Sequence, residues 1–560
     1  MTDDRRTDDE SVDGEPVPTS CTAGTRRRPH APGATQRWNG WGAAEARDVP
    51  LPPALSELLR RELGPGLPGA DAPLARVLLT VPPSRLPAGA ILSDDPFDRL
   101  RHARGQSFPD LVALRAGSVP AVPDAVAFPR TSHDVRAVLG LAAELGASVV
   151  PYGGGTSVVG GVTTPESDIP QVTVDLRRMN RLLHVDEASL LATFGPGVTG
   201  PHLEAALRAR GLTLGHYPQS FERSTLGGWV ATRSSGQQSL GSGRIEELFA
   251  GGRLESPGGE LVLSPFPASA AGPDLRQVIL GSEGRLGVLT EVTVRVRRLP
   301  EVDEVAGAVL PDWDTALNAL RALAAEAAGL SVLRLSTPAE TGTSLLLAGR
   351  AGVAVGRLLT LRRLGSERCL LLVGTAGTRG LTDLARQRAR RVVRRHGGLW
   401  LGKAPGRQWQ RNRFRAPYLR DSLWSQGYGV DSMETAAPWS AVPALVAGLE
   451  AALHAALDGP VHVGTHLSHV YPTGSSVYST VVFRLGDDPA ATLQRWRRLK
   501  TAATGAVLAG GGTITHQHGV GVDHRDALVV EKGPLGIAAL AAVAAALDRD
   551  GRMNPGKLLA

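Results

Sequence analysis

The sequence predicts an α+β protein of two domains. Its 560 residues are more than one hydrophobic core organises, strands alternate with helices along most of the chain, and the pattern of elements changes near residue 301. The predicted organisation has five parts. They are a disordered tail at 1–36, an N-terminal segment at 37–120, a first domain at 121–300, a second domain at 301–510, and a C-terminal segment at 511–560 that returns to the first domain.

The charge pattern argues against a nucleic-acid partner. The net charge is +7 at pH 7, but only four lysines are present, and the arginines that carry most of the charge are spread along the chain. Six arginines between 386 and 395 share one predicted helix. This pattern is more typical of a solvated helix face than of a patch that binds anionic lipid.

Cysteine usage and segment composition predict a cytoplasmic protein. Cys21 and Cys369 are too few and too far apart for a zinc site or a disulfide framework. Residues 1–36 mix Asp, Glu and Arg and lack the apolar core of a signal peptide. The longest apolar stretch, 535–547, is too short to span about 30 Å of hydrocarbon, so we expect at most a peripheral membrane contact.

The first domain opens with a strand–helix–strand unit. Strands are predicted at 125–128 and 148–150, with a helix between them that Ser132 caps and Gly146 ends. Apolar residues at three- and four-residue spacing form one face of that helix. They are Val135, Val138, Leu139, Ala142 and Leu145. The short joins predict a parallel crossover.

Further elements follow in both domains. The predicted strands are 171–176, 190–194, 290–296, 305–310, 331–335, 345–348 and 369–373. The predicted helices are 201–210, 314–328 and 381–396. A Gly-rich stretch at 226–243 is predicted to be largely loop, and the alternation after 301 predicts a sheet with helices on one face.

Directly after the crossover comes the sequence PYGGGTS at 151–157. Gly153, Gly154 and Gly155 allow a ligand to approach the backbone closely, and successive N–H groups in such a turn form a concavity for phosphate. The loop is not a P-loop, because no Gly-Lys-Ser/Thr follows, and it lacks the Rossmann spacing. It predicts a phosphate ligand, with a flexible Gly-rich turn as the alternative.

Three later segments extend this pattern: QSFERST at 219–225, GGWVATRSSG at 227–236 and GSEGRLGVLTE at 281–291. Together with the glycine loop they resemble the FAD domain of the vanillyl-alcohol oxidase superfamily. The resemblance implies a FAD-binding domain of two subdomains and an α+β cap domain whose sheet lies over the flavin. In that superfamily the glycine loop holds the pyrophosphate, and the later segments surround the ribityl chain and the flavin ring.

The C-terminal half narrows the resemblance. RWNGWG at 37–42, YLRD at 418–421, METAAPW at 433–439 and HQHGVG at 516–521 occur in an order similar to that of the alkyldihydroxyacetonephosphate synthase family, over about 37–560. That family exchanges the acyl chain of acyl-dihydroxyacetone phosphate for a fatty alcohol, with the flavin as an electrophile and no net oxidation. The resemblance implies a lipid-like phosphate substrate, a fatty alcohol and a homodimer.

Matched residue by residue, the resemblance implies FAD contacts from four short segments. The residues are Pro151, Tyr152, Gly153, Gly154, Gly155, Thr156, Ser157, Gln219, Ser220, Phe221, Glu222, Arg223, Ser224, Thr225, Trp229, Val230, Ala231, Thr232, Glu283, Gly284, Arg285, Leu286, Gly287, Val288 and Leu289. Some relatives attach the flavin through a His at the glycine loop. The loop here provides no His, so we expect non-covalent FAD.

The same matching implies five residues at the reacting centre. Arg420 is matched to the arginine that grips the substrate phosphate, and Arg334 to a second substrate-binding arginine. Tyr478 is matched to the acid/base phenol, and His516 and His518 to residues beside the flavin. These roles suit the guanidinium fork, a phenol near cationic groups and a ring that titrates near neutrality. By pattern alone, Tyr478 equally fits strand packing, and Arg420 a solvated face.

One residue departs from the synthase motif. Gln517 stands where the family has the middle of three histidines, and a Gln side chain carries no charge and moves no proton. The sequence leaves open whether the family's activity survives this change. A flavin-binding protein without catalysis is a further hypothesis.

An oxidase or dehydrogenase of a 2-hydroxy acid or other small alcohol is the main alternative. His462 and His469 have the spacing of the metal ligands in the related dehydrogenases, but Thr465 replaces the acid and Leu467 the amide. Without carboxylates a divalent ion would be poorly held, so no metal is expected. His462, His466 and His469 could still bind zinc if they converged. Strand alternation, however, predicts that His462 and His466 share one face and that His469 lies on the other.

Overall fold

The structure is a computed structural model that describes residues 36–44, 50–87, 89, 91–362 and 364–559. The predicted disordered tail therefore lies outside the described residues, apart from Gln36, and so does Cys21.

The N-terminal segment connects the two domains. Its elements are α1 (Pro53–Leu63), α2 (Leu74–Leu78), β1 (Leu92–Ser93), α3 (Pro96–Arg101) and α4 (Phe108–Ala116). The buried carboxylate of Asp421, in the second domain, accepts hydrogen bonds from Arg115 Nη2 at 2.5 Å and from the backbone N–H of Trp41 at 2.9 Å. Phe108 of α4 stacks on Trp496 of the second domain, with ring centroids 6.2 Å apart. This segment therefore fixes the second domain against the start of the chain.

The first domain contains two main sheets. Its elements are β2 (Ala125–Ala127), α5 (Ser132–Glu144), β3 (Ser148–Tyr152), β4 (Gln171–Asp175), a 3₁₀ turn (Leu176–Arg178), β5 (Leu182–Asp186), β6 (Leu191–Phe194), α6 (Gly200–Arg208), β7 (Leu212–Thr213), α7 (Leu226–Thr232), α8 (Ser239–Ser242), α9 (Ile245–Leu248), β8 (Phe249–Ser256), β9 (Gly259–Leu263), α10 (Leu275–Ile279), β10 (Val288–Arg295) and β11 (Arg297–Arg298). One sheet has the order β1-β2-β4-β3, and the other, antiparallel sheet has the order β5-β6-β10-β8-β9.

Two local predictions in the first domain need correction. The N-cap of α5 is Thr131, whose Oγ1 accepts the Asp134 N–H at 3.1 Å while the Asp134 carboxylate accepts the Thr131 N–H, so Ser132 is already helical. The stretch 226–243, predicted as largely loop, contains α7 and α8. Thr225 caps α7, so a side-chain cap and tertiary packing outweigh the low helix propensity of its glycines.

The second domain is a cap built on one large sheet. Its elements are β12 (Val302–Leu310), α11 (Trp313–Ala325), β13 (Leu330–Ser336), α12 (Pro338–Leu347), α13 (Gly349–Leu361), β14 (Cys369–Gly377), α14 (Arg379–Arg395), β15 (Leu399–Gly402), α15 (Lys403–Asn412), α16 (Ala416–Trp424), β16 (Tyr428–Pro438), α17 (Val442–Ala455), β17 (His462–Tyr471), β18 (Gly474–Arg484) and α18 (Pro489–Ala509). The seven antiparallel strands have the order β15-β12-β14-β13-β17-β18-β16. The strand predicted at 345–348 is wrong, because these residues end α12, which Pro338 starts.

The two faces of the cap sheet have different partners. Leu335, Leu467, Val477 and Met433 belong to the main hydrophobic core with helices α11, α14, α17 and α18. Since side chains alternate along a strand, the even-numbered residues of β18, of β16 and of β13 from Val332 onward lie on the opposite face. That face carries the residues of the candidate site.

The C-terminal segment returns to the first domain. Met553 forms a parallel bridge with Val149, and the Asn554 N–H donates to the Val149 carbonyl at 2.7 Å. The segment also contains α19 (Arg525–Leu547), a 23-residue helix with a kink at Gly533. Among the described residues, α19 is the helix that is long and apolar enough to cross a membrane by length and composition. Gly533 has non-helical φ and ψ, so the predicted apolar stretch 535–547 belongs to the shorter part of this helix after the break.

Candidate flavin site and active site

The glycine loop follows β3 directly and packs closely on the segment that precedes α7. A Cβ on Gly154 would overlap the Arg223 carbonyl oxygen, and one on Gly153 would overlap the Thr225 hydroxyl. Gly155 has a φ of +65°, which favours glycine. Among the described residues, the backbone N–H groups of 154–157 have no hydrogen-bond acceptor. Unpaired neighbouring N–H groups of this kind fit a pyrophosphate.

Arginine side chains line the space beside the loop. A narrow cavity is bounded by Tyr152 and Gly155 and by the side chains of Arg101, Arg104 and Arg177. Arg177 is paired with the buried Asp175, which it contacts at 2.5 Å, whereas burial lowers the pKa of Arg101 and Arg104. These cations make the cavity favourable for a phosphate group.

Several side chains of the predicted FAD segments lie in the hydrophobic core of the first domain. They are Phe221, Trp229, Val230, Leu286 and Leu289. Trp229 stacks on Phe221 with ring centroids 6.4 Å apart, and its Nε1 donates to Ser224 Oγ at 2.7 Å. Their FAD contacts remain predictions, and any such contact of the fully buried members must come from their backbone.

Glu283 connects the first domain to the C-terminal segment. Its fully buried carboxylate accepts the N–H groups of Val520, at 2.5 Å, and Gly521, at 2.7 Å. Burial raises the pKa of Glu283 to about 7, although these two hydrogen bonds oppose the shift. The Asn554 amide donates to the Glu283 carbonyl and to that of Gly161. Glu283 therefore positions the C-terminal loop over the glycine-loop region.

The reacting-centre residues of the cap form one row across four strands. Glu434 of β16 lies directly opposite Tyr478 of β18, Tyr478 opposite His466 of β17, and His466 opposite Ser336 of β13. Arg334 lies two residues before Ser336 and so shares its face. The row thus brings Tyr478 and Arg334 together, with Glu434 and His466 as further members.

Tyr478 is held as a neutral phenol. Its hydroxyl donates to Ser432 Oγ at 2.8 Å, and its ring stacks on His466 and meets His518 edge to face. Burial raises the pKa of Tyr478 to about 12, and the neighbouring Glu434 adds to this rise. In this environment the phenol is a proton or hydrogen-bond donor, and a weak candidate for a base at neutral pH.

The histidine loop is held by one buried carboxylate. Glu434 accepts the backbone N–H groups of His516, Gln517 and His518 at 2.9–3.1 Å, and the Thr515 hydroxyl at 2.6 Å. His516 Nε2 also contacts the Tyr471 hydroxyl at 2.6 Å. Burial lowers the pKa of both His516 and His518, so both rings are neutral. Gln517 takes part through its backbone in the same way as its neighbours.

Arg334 is engaged within the protein. Its Nη2 contacts Glu340 Oε1 at 2.5 Å, and the other oxygen of Glu340 lies 2.9 Å from His466 Nδ1. Despite burial, the neighbouring His466 and Arg334 lower the pKa of Glu340 to about 2 and donate hydrogen bonds to its carboxylate, which is ionised. Arg334 therefore neutralises Glu340, and its predicted contact with substrate remains a prediction.

Arg420 has a guanidinium nitrogen available for a ligand. Its Nη1 donates to the Gln106 carbonyl at 2.6 Å, while the buried Nη2 has no hydrogen-bond partner among the described residues. The Gln106 N–H in turn donates to the carbonyl of Ser157 at 2.7 Å. Arg420 is thus joined to the glycine loop through one residue, and a buried unpaired guanidinium nitrogen fits an anionic ligand.

A β-bulge changes the side of the sheet on which His469 lies. The register of β17 shifts between Ser468 and Val470, and His469 has a φ of 45°. Leu467 and Val470 both belong to the helix-side core, so His469 shares the face of His466, contrary to strict alternation. Its Nδ1 is 3.0 Å from the hydroxyl of Ser235. Within the described ranges, no three His, Cys, Asp or Glu side chains form a group suited to a metal ion.

Three residues of the site were missed by the sequence predictions. Glu434 lies inside METAAPW, so the motif located it without indicating that a buried carboxylate binds the histidine loop. His466 was considered only with the dehydrogenase alternative. Glu340 carried no recognisable pattern, because the sequence predicts a strand shortly after it and places nothing opposite Arg334.

Comparison with known proteins agrees with this geometry. Residues 123–263 match the family model of the FAD binding domain, and 299–558 match that of the FAD linked oxidases, C-terminal domain. The alkyldihydroxyacetonephosphate synthase of Dictyostelium discoideum is 30% identical over 538 residues, covering 87% of each chain. That of Trypanosoma brucei brucei is 32% identical over 484 residues, covering 83% of this chain and 78% of the relative.

Solved structures lead to the same family. A structure of alkyldihydroxyacetonephosphate synthase superposes with a TM-score of 0.80 at 27% identity, covering 93% of this chain and 98% of the other. The expected fold class, a FAD-binding domain with an α+β cap, and the expected FAD cofactor are confirmed. The chain belongs to the alkyldihydroxyacetonephosphate synthase family of flavoenzymes.

Proposed function

We propose that this flavoenzyme exchanges the acyl chain of an acyl-dihydroxyacetone phosphate for a fatty alcohol and so forms an ether-lipid precursor. The observation that carries the proposal is the arrangement of Tyr478, Arg420 and the histidine loop around one face of the cap sheet, with Arg420 joined through Gln106 to the glycine loop. The names of its relatives support the same reaction.

The chain's own residues divide the work between binding and proton transfer. Arg420 binds the substrate phosphate with its free Nη2, since a guanidinium remains charged at any working pH. Tyr478 donates its phenolic proton or a hydrogen bond to a substrate oxygen. Neutral His516 and His518 line the site beneath it. When bound at the glycine loop, FAD supplies an electrophilic centre for the substrate carbon without net oxidation.

The experiment that tests the proposal is an assay of purified protein with palmitoyl-dihydroxyacetone phosphate and hexadecanol. We expect the ether product and free palmitate. Tyr478→Phe and Arg420→Ala should each abolish product formation, because one removes the phenol and the other the phosphate-binding group. Arg498→Ala, which removes an exposed arginine paired with Asp458, is the control. Full activity in the first two variants would contradict the assigned roles.

An oxidase or dehydrogenase of a 2-hydroxy acid is the second candidate, and it is the weaker one. Thr465 and Leu467 provide neither the acid nor the amide of the dehydrogenase pattern, and Thr465 is enclosed with Ser479 on the helix side of the sheet. Reduction of a dye by a 2-hydroxy acid, without ether synthesis, would favour this candidate. A flavin spectrum that responds to neither substrate class would favour a protein without catalysis.

We also propose a peripheral membrane contact through the outer face of α19. Ile537, Leu540 and Val543 pack against the first domain, whereas Val530 and Leu535 are 67% and 83% exposed. An exposed apolar face of this kind favours the boundary of a bilayer. Vesicle co-sedimentation of wild type and of Val530→Ser/Leu535→Ser tests this, and equal binding would count against it.

Three expectations from the resemblance remain predictions. A homodimer would be tested by analytical ultracentrifugation, and a cytoplasmic location by fractionation. Non-covalent FAD would be tested by acid denaturation, which should release all of the yellow colour; colour retained on the protein would show a covalent bond.

A further inference from the structure

We propose that His466, oriented by Glu340, is the general base that removes the hydroxyl proton of the fatty alcohol. This inference rests on the proposed synthase function and assigns the proton acceptor of its second stage. The observation behind it is a carboxylate–imidazole pair next to the Tyr478 ring, with one imidazole nitrogen unoccupied.

The contacts of His466 determine its tautomer. An ionised carboxylate only accepts hydrogen bonds, so the 2.9 Å contact between Nδ1 and Glu340 Oε2 places the proton on Nδ1. Arg334 Nη2 lies 3.2 Å from the same nitrogen, but it is closer to Glu340 Oε1, at 2.5 Å, and donates to that oxygen. The lone pair is then on Nε2, which has no hydrogen-bond partner among the described residues. Arg334 keeps Glu340 ionised and in place. The arrangement resembles the carboxylate–histidine pairs that orient catalytic bases in other enzymes.

The position of His466 suits a base for the second substrate. Its ring is stacked on the Tyr478 ring, with centroids 4.9 Å apart and planes 26° apart, and both belong to the row on the sheet face opposite the helix-side core. The imidazole is 7% exposed, so the free nitrogen lies in an enclosed site from which bulk water is largely excluded. A proton acceptor there would contact an alcohol aligned beside the phenol.

In the described part of the chain, other candidates for this role lack a carboxylate within hydrogen-bond distance. The Tyr478 hydroxyl donates to Ser432, and burial raises its pKa to about 12. His516 Nε2 contacts the Tyr471 hydroxyl, and His469 Nδ1 contacts two serine hydroxyls. His516 Nδ1 also has no hydrogen-bond partner within the described ranges, but among these groups His466 is the one that combines a ring oriented by a carboxylate with a free nitrogen.

The proton inventory of the reaction requires such a group. The alcohol oxygen forms a bond to the substrate carbon, and its O–H proton passes to His466 Nε2. The bond from that carbon to the acyl oxygen breaks, and the acyl chain leaves as a carboxylate with the bonding pair. His466 then releases the proton to solvent. The sum is alcohol plus ester giving ether, carboxylate and one proton.

The pH dependence of ether formation should report on this ring. Burial and the charge of Arg334, from β13, lower the pKa of His466, while Glu340, from α12, opposes this shift. Tyr478, from β18, and His469, from β17 like His466 itself, face the ring as neutral groups. The rate should therefore rise with pH through a pKa below 6.5 and then level off. The variant His466→Gln should lack this limb.

The chain offers a matched control on the same strand. His462 is also paired with a carboxylate, since its Nδ1 lies 2.8 Å from Glu62, but its Nε2 is taken by the Thr343 hydroxyl at 2.9 Å. We therefore compare His466→Gln with His462→Gln in holoenzyme with equal FAD content. Two reactions are measured, which are ether formation from hexadecanol and exchange of labelled palmitate into palmitoyl-dihydroxyacetone phosphate without alcohol.

We expect His466→Gln to lower ether formation by about 100-fold or more, which is the usual range for general-base catalysis, and to change palmitate exchange by less than about threefold. An alcohol fluorinated beside its hydroxyl carbon is more acidic and should recover about tenfold of the loss. Glu340→Gln should lower ether formation to a smaller extent, with exchange retained. His462→Gln should leave both rates unchanged.

Specific outcomes would overturn the inference. If His466→Gln keeps ether formation within about threefold of wild type, the base lies elsewhere. If both reactions fall equally with FAD retained, His466 serves an earlier step or the fold, and its role as the alcohol's base is wrong. If wild type performs neither reaction, the proposed function itself fails, and this inference fails with it.

Discussion

The glycine loop and the cap-sheet row hold ligands by different means. The loop offers unpaired backbone N–H groups and owes its shape to residues without a Cβ, whereas the row offers side chains from four strands that are far apart in sequence. The histidine loop lies between these cases, because Glu434, a side chain, holds a run of backbone N–H groups. Cofactor binding therefore depends on backbone shape, and proton transfer depends on side-chain identity.

The largest expected effect is that of Gly154→Ala, which tests whether FAD binding depends on the backbone shape of the glycine loop. The added methyl would meet the Arg223 carbonyl and the Ser224 backbone, which are fixed ahead of α7. Overpacking of this kind costs about 3 kcal/mol, so we expect FAD affinity to fall by about 100-fold. Flavin titration measures it. Gly140→Ala, in the open middle of α5, is the control and should bind FAD normally. Normal affinity in Gly154→Ala would show that the loop is not the cradle.

Glu434→Gln tests the intermediate case. The amide nitrogen of Gln would face N–H donors that the carboxylate now accepts, leaving buried donors unpaired. We expect a loss of about 2–3 kcal/mol in the free energy of unfolding, with faster hydrogen exchange at 516–518. Chemical denaturation and exchange mass spectrometry measure these. Unchanged exchange at the loop would mean that other contacts hold it.

The pH dependence of stability should differ between Glu283, whose pKa is raised in the folded state, and Glu434, whose pKa is lowered. Because the folded-state pKa of Glu283 is raised to about 7, its contribution is fully present below the unfolded-state pKa and is lost as pH rises through about 7. From pH 5 to 8, wild type should therefore lose about 2 kcal/mol relative to Glu283→Gln. Urea denaturation of both proteins at the two pH values measures this. An equal change in unfolding free energy between the two pH values in wild type and Glu283→Gln would contradict the raised pKa of Glu283.

The smallest expected effect is that of Gln517→His, which restores the family residue. Since Gln517 is held through its backbone N–H, we expect ether formation to change by less than about threefold, below about 0.7 kcal/mol. A steady-state assay with hexadecanol measures this. A large gain would show that the middle histidine of the motif moves a proton and that the side chains of this loop matter more than its backbone.

The parts of the molecule differ in how far their sequence predicts them. The glycine loop was predicted because its chemistry is local: three glycines follow a strand whose partner strand and helix are adjacent in sequence. Tyr478 and Arg420 required the resemblance, since a single Tyr on a strand and one Arg among several have no distinguishing pattern. Glu340 was missed because its partner His466 is 126 residues away in sequence and is brought to it by the pairing of β13 with β17.

Two errors have the same physical origin. The strand predicted at 345–348 rested on a short apolar run, which periodicity cannot distinguish from the end of a helix such as α12. The placement of His469 on the far face assumed an uninterrupted strand. In both cases tertiary contacts decided a conformation that the local pattern left open.

The bulge in β17 has a consequence for comparisons among related chains. In a flat strand, two side chains three positions apart are separated by the thickness of the sheet, but here His466 and His469 share one surface. If the same residues alternated regularly, without the bulge, the His469 ring would lie on the helix side and away from His516, although every catalytic residue would still be present. For this family, the length of that segment is as informative as its composition, and an alignment that closes the one-residue gap would pair residues from opposite sides of the enzyme.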